Sequence, residues 1–204
     1  MNRLLLIVEG QGEQGAAPVL ARRVLHELHE KYEWVIPRPH RRWGIKQLQS
    51  NNWEKLKRFL SVAFKEEAPV LWMLDCDDGC AIEWMKEIYA ALAGVPLKQP
   101  LAFALWIREY EAMFLYDFDC TKTQLDIRSD CEPLAEPDAK RGVKDWISNQ
   151  MPKNRIYKET IHQEALTGRI DLPGLRDYRS FRHFEKALLW LTEQTQPALY
   201  PFEA

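Results

Sequence analysis

Apolar residues arrive along this chain in two rhythms: short unbroken runs, and longer stretches in which they recur every three to four positions. Leu4 to Val8 is an unbroken run, as expected of a strand covered on both faces. Pro18 sits near a helix start, and Val19, Leu20, Arg23, Val24, Leu28 and Tyr32 continue at helical spacing. Trp34 to Ile36 is a second strand candidate, stopped by Pro37 and Pro39. Ile45 to Phe64 carries a helical pattern through Leu48, Leu56, Phe59, Leu60 and Phe64. Val70 to Leu74 reads as a buried strand ending at Asp75, Ile82 to Leu92 as a helix closed by Gly94 and Pro96, and Leu101 to Ile107 as a further strand. Strands alternating with helices of this length predict an α/β fold with a doubly wound, mostly parallel sheet.

After this the texture changes. Cys120 to Met151 is rich in Pro, Asp and charged residues, with one helix expected around Val143 to Asn149. Ile156 to Gln194 reads as one or two helices, with Ser180 as the expected N-cap of the last. The expected organisation is an α/β core over residues 1–118 and a loop-rich insertion with a helical C-terminal extension over 119–204.

Composition narrows the class. With 46% hydrophobic and 28% charged residues among 204, the chain is rich enough in apolar residues to fill a core, so disorder is not the expectation. No apolar run reaches membrane-spanning length, and Glu9 ends the first run before it could serve as a signal-peptide core; a cytoplasmic protein without membrane contact is expected. Cys76, Cys80, Cys120 and Cys131 complete neither a zinc site nor a disulfide framework. A net charge of −2 gives no global attraction to nucleic acid, so any polyanion site must be a local basic patch.

The chemistry concentrates in residues 7–15, IVEGQGEQG. Gly10, Gly12 and Gly15 spell the G-x-G-x-x-G of a dinucleotide site, for which Arg38 could meet a 2′-phosphate. The same letters also read V-E-G-x-x-E, and Glu9 and Glu13 would set two negative charges beside a pyrophosphate that needs positive potential. A second acidic strand end, Asp75-Cys76-Asp77-Asp78-Gly79, favours the reading in which the carboxylates matter. In an open parallel sheet, ligands bind beyond the carboxyl ends of the strands, so Glu9, Asp75 and Asp77 are expected to converge. Clustered carboxylates repel unless protonated or bridged by a cation, and oxygen-only donors select Mg²⁺ or Mn²⁺. The alternative is that Asp residues end strands because they favour solvated turns.

The pair V8-E9-G10-Q11-G12-E13 and D75-C76-D77-D78-G79 resembles the TOPRIM domain of topoisomerases, primases and overcoming-lysogenization-defect nucleases. It is most similar to a TOPRIM-like family found beside ATPases in bacterial anti-phage loci, and W106-I107-R108-E109-Y110-E111-A112-M113-F114-L115 and S180-F181-R182-H183-F184 also fit that pattern. The resemblance implies Glu9 as metal ligand or general acid/base, Asp75 and Asp77 as Mg²⁺ ligands, and Glu13 as an additional carboxylate. The spacing D-D-G is tighter than the usual D-x-D-x-x-G, which sets Asp78 apart. Glu109 and Glu111 follow another strand end, where one of them is expected at the same edge, unless both belong to a solvated helical turn.

The expected activity is metal-assisted phosphodiester hydrolysis on DNA or RNA, in phage defence with an ATPase partner protein. The alternative is a non-catalytic partner or nucleotide-binding module. Arg38, His40, Arg41, Arg42 and Trp43 combine phosphate-binding charge with a stacking ring and are the expected nucleic-acid contacts, against the plainer reading of an exposed loop. Lys140, Arg141 and Lys144 are candidate cations for the phosphate, or an ordinary solvated cluster. Arg176, Tyr178, Arg179, Phe181 and Arg182 read as a helix start packing its rings inward, and His183 is unassigned.

Overall fold

A computed structural model describes residues 2–202 of the chain. Among the described residues there are six strands: β1 (Asn2–Arg3), β2 (Leu5–Val8), β3 (Trp34–Val35), β4 (His40–Arg41), β5 (Val70–Asp75) and β6 (Leu101–Trp106). The α-helices are α1 (Glu13–Arg23), α2 (Ile45–Gln49), α3 (Glu54–Ala63), α4 (Ala81–Leu92), α5 (Met113–Tyr116), α6 (Phe118–Leu125), α7 (Val143–Gln150), α8 (Glu159–Thr167) and α9 (Arg179–Glu193). The main sheet is parallel in the order β4-β2-β5-β6, and β1 and β3 form a separate parallel pair. The expected α/β class with a parallel sheet flanked by helices is what the chain adopts.

The unbroken apolar runs are explained by burial on both faces. Leu4, Leu6, Val8, Leu71, Met73, Ala102, Ala104 and Trp106 belong to one core. The alternate residues Leu5, Ile7, Val70, Trp72, Leu74, Leu101, Phe103 and Leu105 belong to the other. Strand side chains point alternately to opposite faces, so a strand covered on both sides has no polar position to show. Helices α2, α3 and α4 contribute to the second core, whereas α1 and residues of α5 to α9 contribute to the first. Residues after 118 therefore complete a layer of the same sheet, and the junction expected at 118/119 falls inside α6. No described helix is long and apolar enough to cross a membrane.

The structure corrects the sequence reading at five places. The helical stretch from Ile45 to Phe64 is two helices, because Asn52 and Trp53 both take positive φ (50° and 62°) between them. The second strand ends before Pro37, as expected, but the edge strand that follows it is additional. Trp34–Val35 pairs with Asn2–Arg3, the two prolines interrupt the ladder by removing N–H donors, and the chain pairs again at His40–Arg41 against Ile7–Val8. The segment after Cys120 holds the end of α6 as well as α7. Pro18 is buried well inside α1 rather than at its start. Ser180 lies within α9 and not at its N-cap, which is Tyr178; its hydroxyl accepts a hydrogen bond from the Ile107 N–H at 3.0 Å and ties the helix to the end of β6.

Candidate functional site

Chain order along the main sheet reverses between β2 and β5: from β2 the path goes outward to β4, then crosses back to β5 and on to β6. The carboxyl ends of strands flanking such a reversal diverge into a crevice. Glu9 follows β2 and Asp75 ends β5, so the two expected carboxylates stand at this switch point. A cleft of about 360 Å³ opens there, lined by Glu9, Asp75, Asp77, Asp78 and Glu109 together with the cations Lys46, Arg108, Arg141 and Lys144.

Two non-glycine residues in the left-handed region shape the cleft, Asp77 (φ 49°) and Arg108 (φ 65°). They face each other across the sheet edge. The Asp77 N–H donates to the Arg108 carbonyl at 2.8 Å, and the Arg108 guanidinium returns a bond to the Asp77 carbonyl at 3.3 Å. Such conformations cost about 1–3 kcal/mol each and persist only where surrounding contacts hold them. Here they turn both chains sharply as they leave β5 and β6.

Below the cleft lies a second tier of acids. Glu13, 4% exposed in the first turn of α1, accepts the Glu9 N–H at 3.2 Å. Glu111 is fully buried and accepts from the Tyr157 hydroxyl (3.3 Å) and the Gln163 amide (3.2 Å), with the Lys144 ammonium at 3.7 Å. Asp75 accepts the Tyr110 N–H at 2.9 Å. Burial pushes the Glu13 carboxyl up to about 8, aided by the negative charge of Glu111. Burial also pushes Glu111 up to about 7, with Lys144 pulling the other way. Asp75 is raised well above its ordinary value by burial and then by Glu13, Glu111 and Glu9, and Glu9 is raised by burial and by Asp77. Burial opposes charge on Lys144, but Glu111 and Glu159 outweigh it and hold the ammonium protonated.

The glycines of the opening stretch make room for other groups than a pyrophosphate. A methyl group on Gly12 would collide with the Gln163 side chain and come within 2.8 Å of the Glu159 carbonyl; one on Gly15 would collide with the Glu164 carboxylate. Both glycines let α8 approach α1. Gly10 leaves space for the Glu13 carboxylate, at 3.3 Å from where its own β-carbon would lie. The residue that makes space for Glu9 is Gly44, whose β-carbon would overlap the Glu9 carboxylate.

Glu9, Asp75, Asp77 and Glu109 all line the cleft, and Glu13 and Glu111 lie behind it. Glu109 is already engaged, its carboxylate accepting the Val143 N–H at 2.9 Å at the start of α7. Among the cations, Lys144 and Arg141 reach the cleft, whereas Lys140 is not among its lining residues. Arg41 and Arg42 line a neighbouring groove that also includes Glu9 and Trp43, with the Arg42 guanidinium stacked 4.0 Å over the Phe59 ring. Arg38 lines a different groove, with Arg22 and Glu164. Sequence reasoning passed over Lys46, Gly44, Tyr157 and Gln163, which carry no motif. Arg108 lies in the Trp106 to Leu115 stretch, where its charge next to Glu109 is the available signal.

The donor chemistry suits a hard divalent cation. The donors are carboxylate oxygens, and Oε2 of both Glu9 and Glu111 is shielded from solvent without a hydrogen-bond partner. Among the described residues, no three Asp, Glu, His or Cys side chains are arranged to hold an ion as they stand. Lys46 binds Asp77 at 3.0 Å, and Arg108 and Arg141 bind Asp78 at 3.1 and 3.2 Å, so protein cations occupy the outer carboxylates.

Fold and site together define a parallel α/β domain with a carboxylate-rich cleft at its topological switch point. The chain belongs to the family described as Domain of unknown function (DUF4276), whose model matches residues 8–189. That span takes in both acidic strand ends and most of α9. Neither a curated protein nor a solved structure matches the chain.

Proposed function

We propose that this protein is a Mg²⁺-dependent (or Mn²⁺-dependent) phosphodiesterase acting on nucleic acid, a nuclease-like effector of TOPRIM type. The observation that carries the reading is the gathering of Glu9, Asp75 and Asp77 around one cleft at the switch point, with the buried Glu13 and Glu111 behind them. Keeping such a set costs stability unless a cation repays it, which is why strongly perturbed acids in a cleft mark functional sites. Glu9, Asp75 and Asp77 would hold the ion. When bound, it would polarise a phosphoryl oxygen and lower the pKa of a coordinated water.

The chain's own residues supply the rest. Glu13, whose pKa burial raises to about 8, fixes the Glu9 backbone, which orients the Glu9 carboxylate in the space left by Gly44. Lys144 balances the buried charge of Glu111. Lys46 holds Asp77 and would have to release it on metal binding. The helix packed against Gly12 and Gly15 stands where a dinucleotide pyrophosphate would need to lie, which weighs against a dinucleotide-binding role.

Supercoiled plasmid and structured RNA incubated with Mg²⁺ or Mn²⁺ test the proposal. Cutting by the wild type and not by Asp75→Ala is the expected result; equal activity of the two would overturn it. One observation favours a second reading, a non-catalytic module docking on an ATPase partner in phage defence: the outer carboxylates are already neutralised by the protein's own cations. Co-purification of an ATPase together with no heat on Mg²⁺ titration would favour that reading.

A further inference from the structure

On the far side of the loop that carries Asp77 and Asp78, a second cavity lies at the carboxyl end of β6. Asp77 and Asp78 line the acidic cleft, and the next two residues, Gly79 and Cys80, line this cavity of about 280 Å³. Its wall is mostly apolar: Ala81, Ile82, Met85, Leu105, Ile107 and Phe202. Arg179, Ser180 and His183 complete it, and Arg179 and His183 also line an adjoining groove of about 400 Å³ with Arg182, Lys186 and Tyr200. Apolar cavity and basic groove are therefore one continuous surface.

The basic residues follow from the helical repeat. Arg179, Arg182, His183 and Lys186 fall three and four apart, so they form one stripe along α9 while Phe181, Phe184 and Leu188 of the opposite face are fully buried. Among the described residues neither Arg179 nor Lys186 has an acidic partner within 4.0 Å. His183 Nδ1 is shielded from solvent and has no hydrogen-bond partner. Burial lowers the His183 pKa, and the nearby Arg179 and Lys186 charges lower it further, as expected of uncompensated positive potential. Neither α4 nor α9, both of which begin at this cavity, has a side-chain N-cap, so their free backbone N–H groups add to the same sign.

We propose that this surface binds single-stranded nucleic acid, with one unpaired base in the apolar cavity and its flanking phosphates along Arg179, His183 and Lys186. An apolar pocket beside unpaired cations matches a ligand with a planar, weakly polar ring on an anionic backbone. The stripe from residue 179 to 186 spans about 10 Å of helix, room for two phosphates. A strand seated there runs across the Asp77–Asp78 loop toward the carboxylates. The assignment rests on the nucleic-acid reading of the cleft and names its substrate as unpaired strand.

The test is fluorescence anisotropy of a labelled single-stranded 12-mer, as DNA and as RNA, with the full chain in EDTA. The expected result for Arg179→Ala/Lys186→Ala is a loss of at least tenfold in affinity. Its log K against log salt slope should flatten by about 1.4, at roughly 0.7 per lost phosphate contact. Ala81→Leu, which fills the cavity, is expected to weaken binding with the slope unchanged, and to have no effect on an oligomer that carries an abasic residue in place of the bound base. Circular dichroism confirms that each variant is folded. Wild-type affinity and slope in the double variant, or binding of duplex as tight as single strand, would overturn the proposal. The two readings fail separately: strand binding without Mg²⁺-dependent cleavage removes the hydrolase alone, and undiminished cleavage by the double variant removes the α9 surface alone.

Discussion

The acidic cleft and the basic face of α9 lie on either side of one short loop and balance charge in opposite ways. In the cleft, Lys46, Arg108, Arg141 and Lys144 are each within ion-pair distance of a carboxylate. On α9, Arg179 and Lys186 have no such partner among the described residues. A cation already paired within the fold attracts a polyanion weakly, because binding must break the existing pair. The cleft thus sets its acids beside paired cations, whereas the helix face leaves its cations without acidic partners.

The largest effect expected is that of Asp75→Asn. Removing one carboxylate from the switch point should lower Mg²⁺-dependent cleavage by about three orders of magnitude, the scale of losing a group that acts at the reacting atoms. The same change should leave 12-mer binding in EDTA unaltered and raise the melting temperature in EDTA, since it relieves repulsion from Glu13, Glu111 and Glu9. Reduced strand binding by Asp75→Asn would break the division between the two regions.

The next effect separates the regions by pH. Glu13 is raised to about 8 and Glu111 to about 7 in the folded chain, against 4.5 for an unperturbed Glu. The folded state therefore holds more protons than the unfolded one between these values, and stability must fall as pH rises. The stability present below pH 4.5 should decline from there to about pH 8, at up to about 1.4 kcal/mol per pH unit for each group titrating in that interval. Urea unfolding in EDTA at pH 5.5, 6.5 and 7.5 measures this. Glu13→Gln should flatten the profile, and Mg²⁺ should restore stability chiefly at the alkaline end. An unchanged slope in Glu13→Gln would show that the acids are not coupled as their burial implies.

A smaller effect tests what the glycines serve. Gly12→Ala places a methyl group 2.8 Å from the Glu159 carbonyl, a backbone atom that cannot swing aside. Overpacking of this kind costs about 1–3 kcal/mol. Thermal unfolding should show the loss, and because Gln163 and Glu159 hold Glu111 and Lys144, cleavage should fall while strand binding stays. A neutral Gly12→Ala would mean that α8 does not press on α1 there.

The strands of the main sheet beyond β4 were legible because parallel strands buried on both faces leave continuous apolar runs, and the first tier of the cleft was legible because acids closed two of those runs. The burial of the second tier was not, although Glu13 and Glu111 themselves stood in the motifs. Glu111 is buried by Tyr157 and Gln163, which arrive from about 50 residues away and carry no local pattern. The edge strand His40–Arg41 was read as a loop because Pro37 and Pro39 conceal that one extended segment pairs twice. On α9 the basic residues were visible, but nothing in the sequence placed them beside Ala81 and Phe202. Local patterns report which face of an element is buried; they do not report which faces meet.

The smallest effect probes the joint between the two regions. Ser180, near the start of α9, accepts the Ile107 N–H, and the Tyr178 hydroxyl donates to the Ile107 carbonyl at 3.3 Å. Ile107 is followed by Arg108 and Glu109 of the cleft, so α9 is pinned to the backbone that shapes it. Ser180→Ala leaves a part-buried N–H without its partner and should cost about 1 kcal/mol in urea unfolding. If the regions work independently, cleavage should change less than twofold. If the pin sets the register between the strand face and the carboxylates, cleavage should drop severalfold while the salt slope of 12-mer binding stays at its wild-type value, since Ser180 lines the cavity but carries no charge. Ser180→Thr, which keeps the hydroxyl, should then recover the rate, a rescue that a purely structural loss would not give at equal stability.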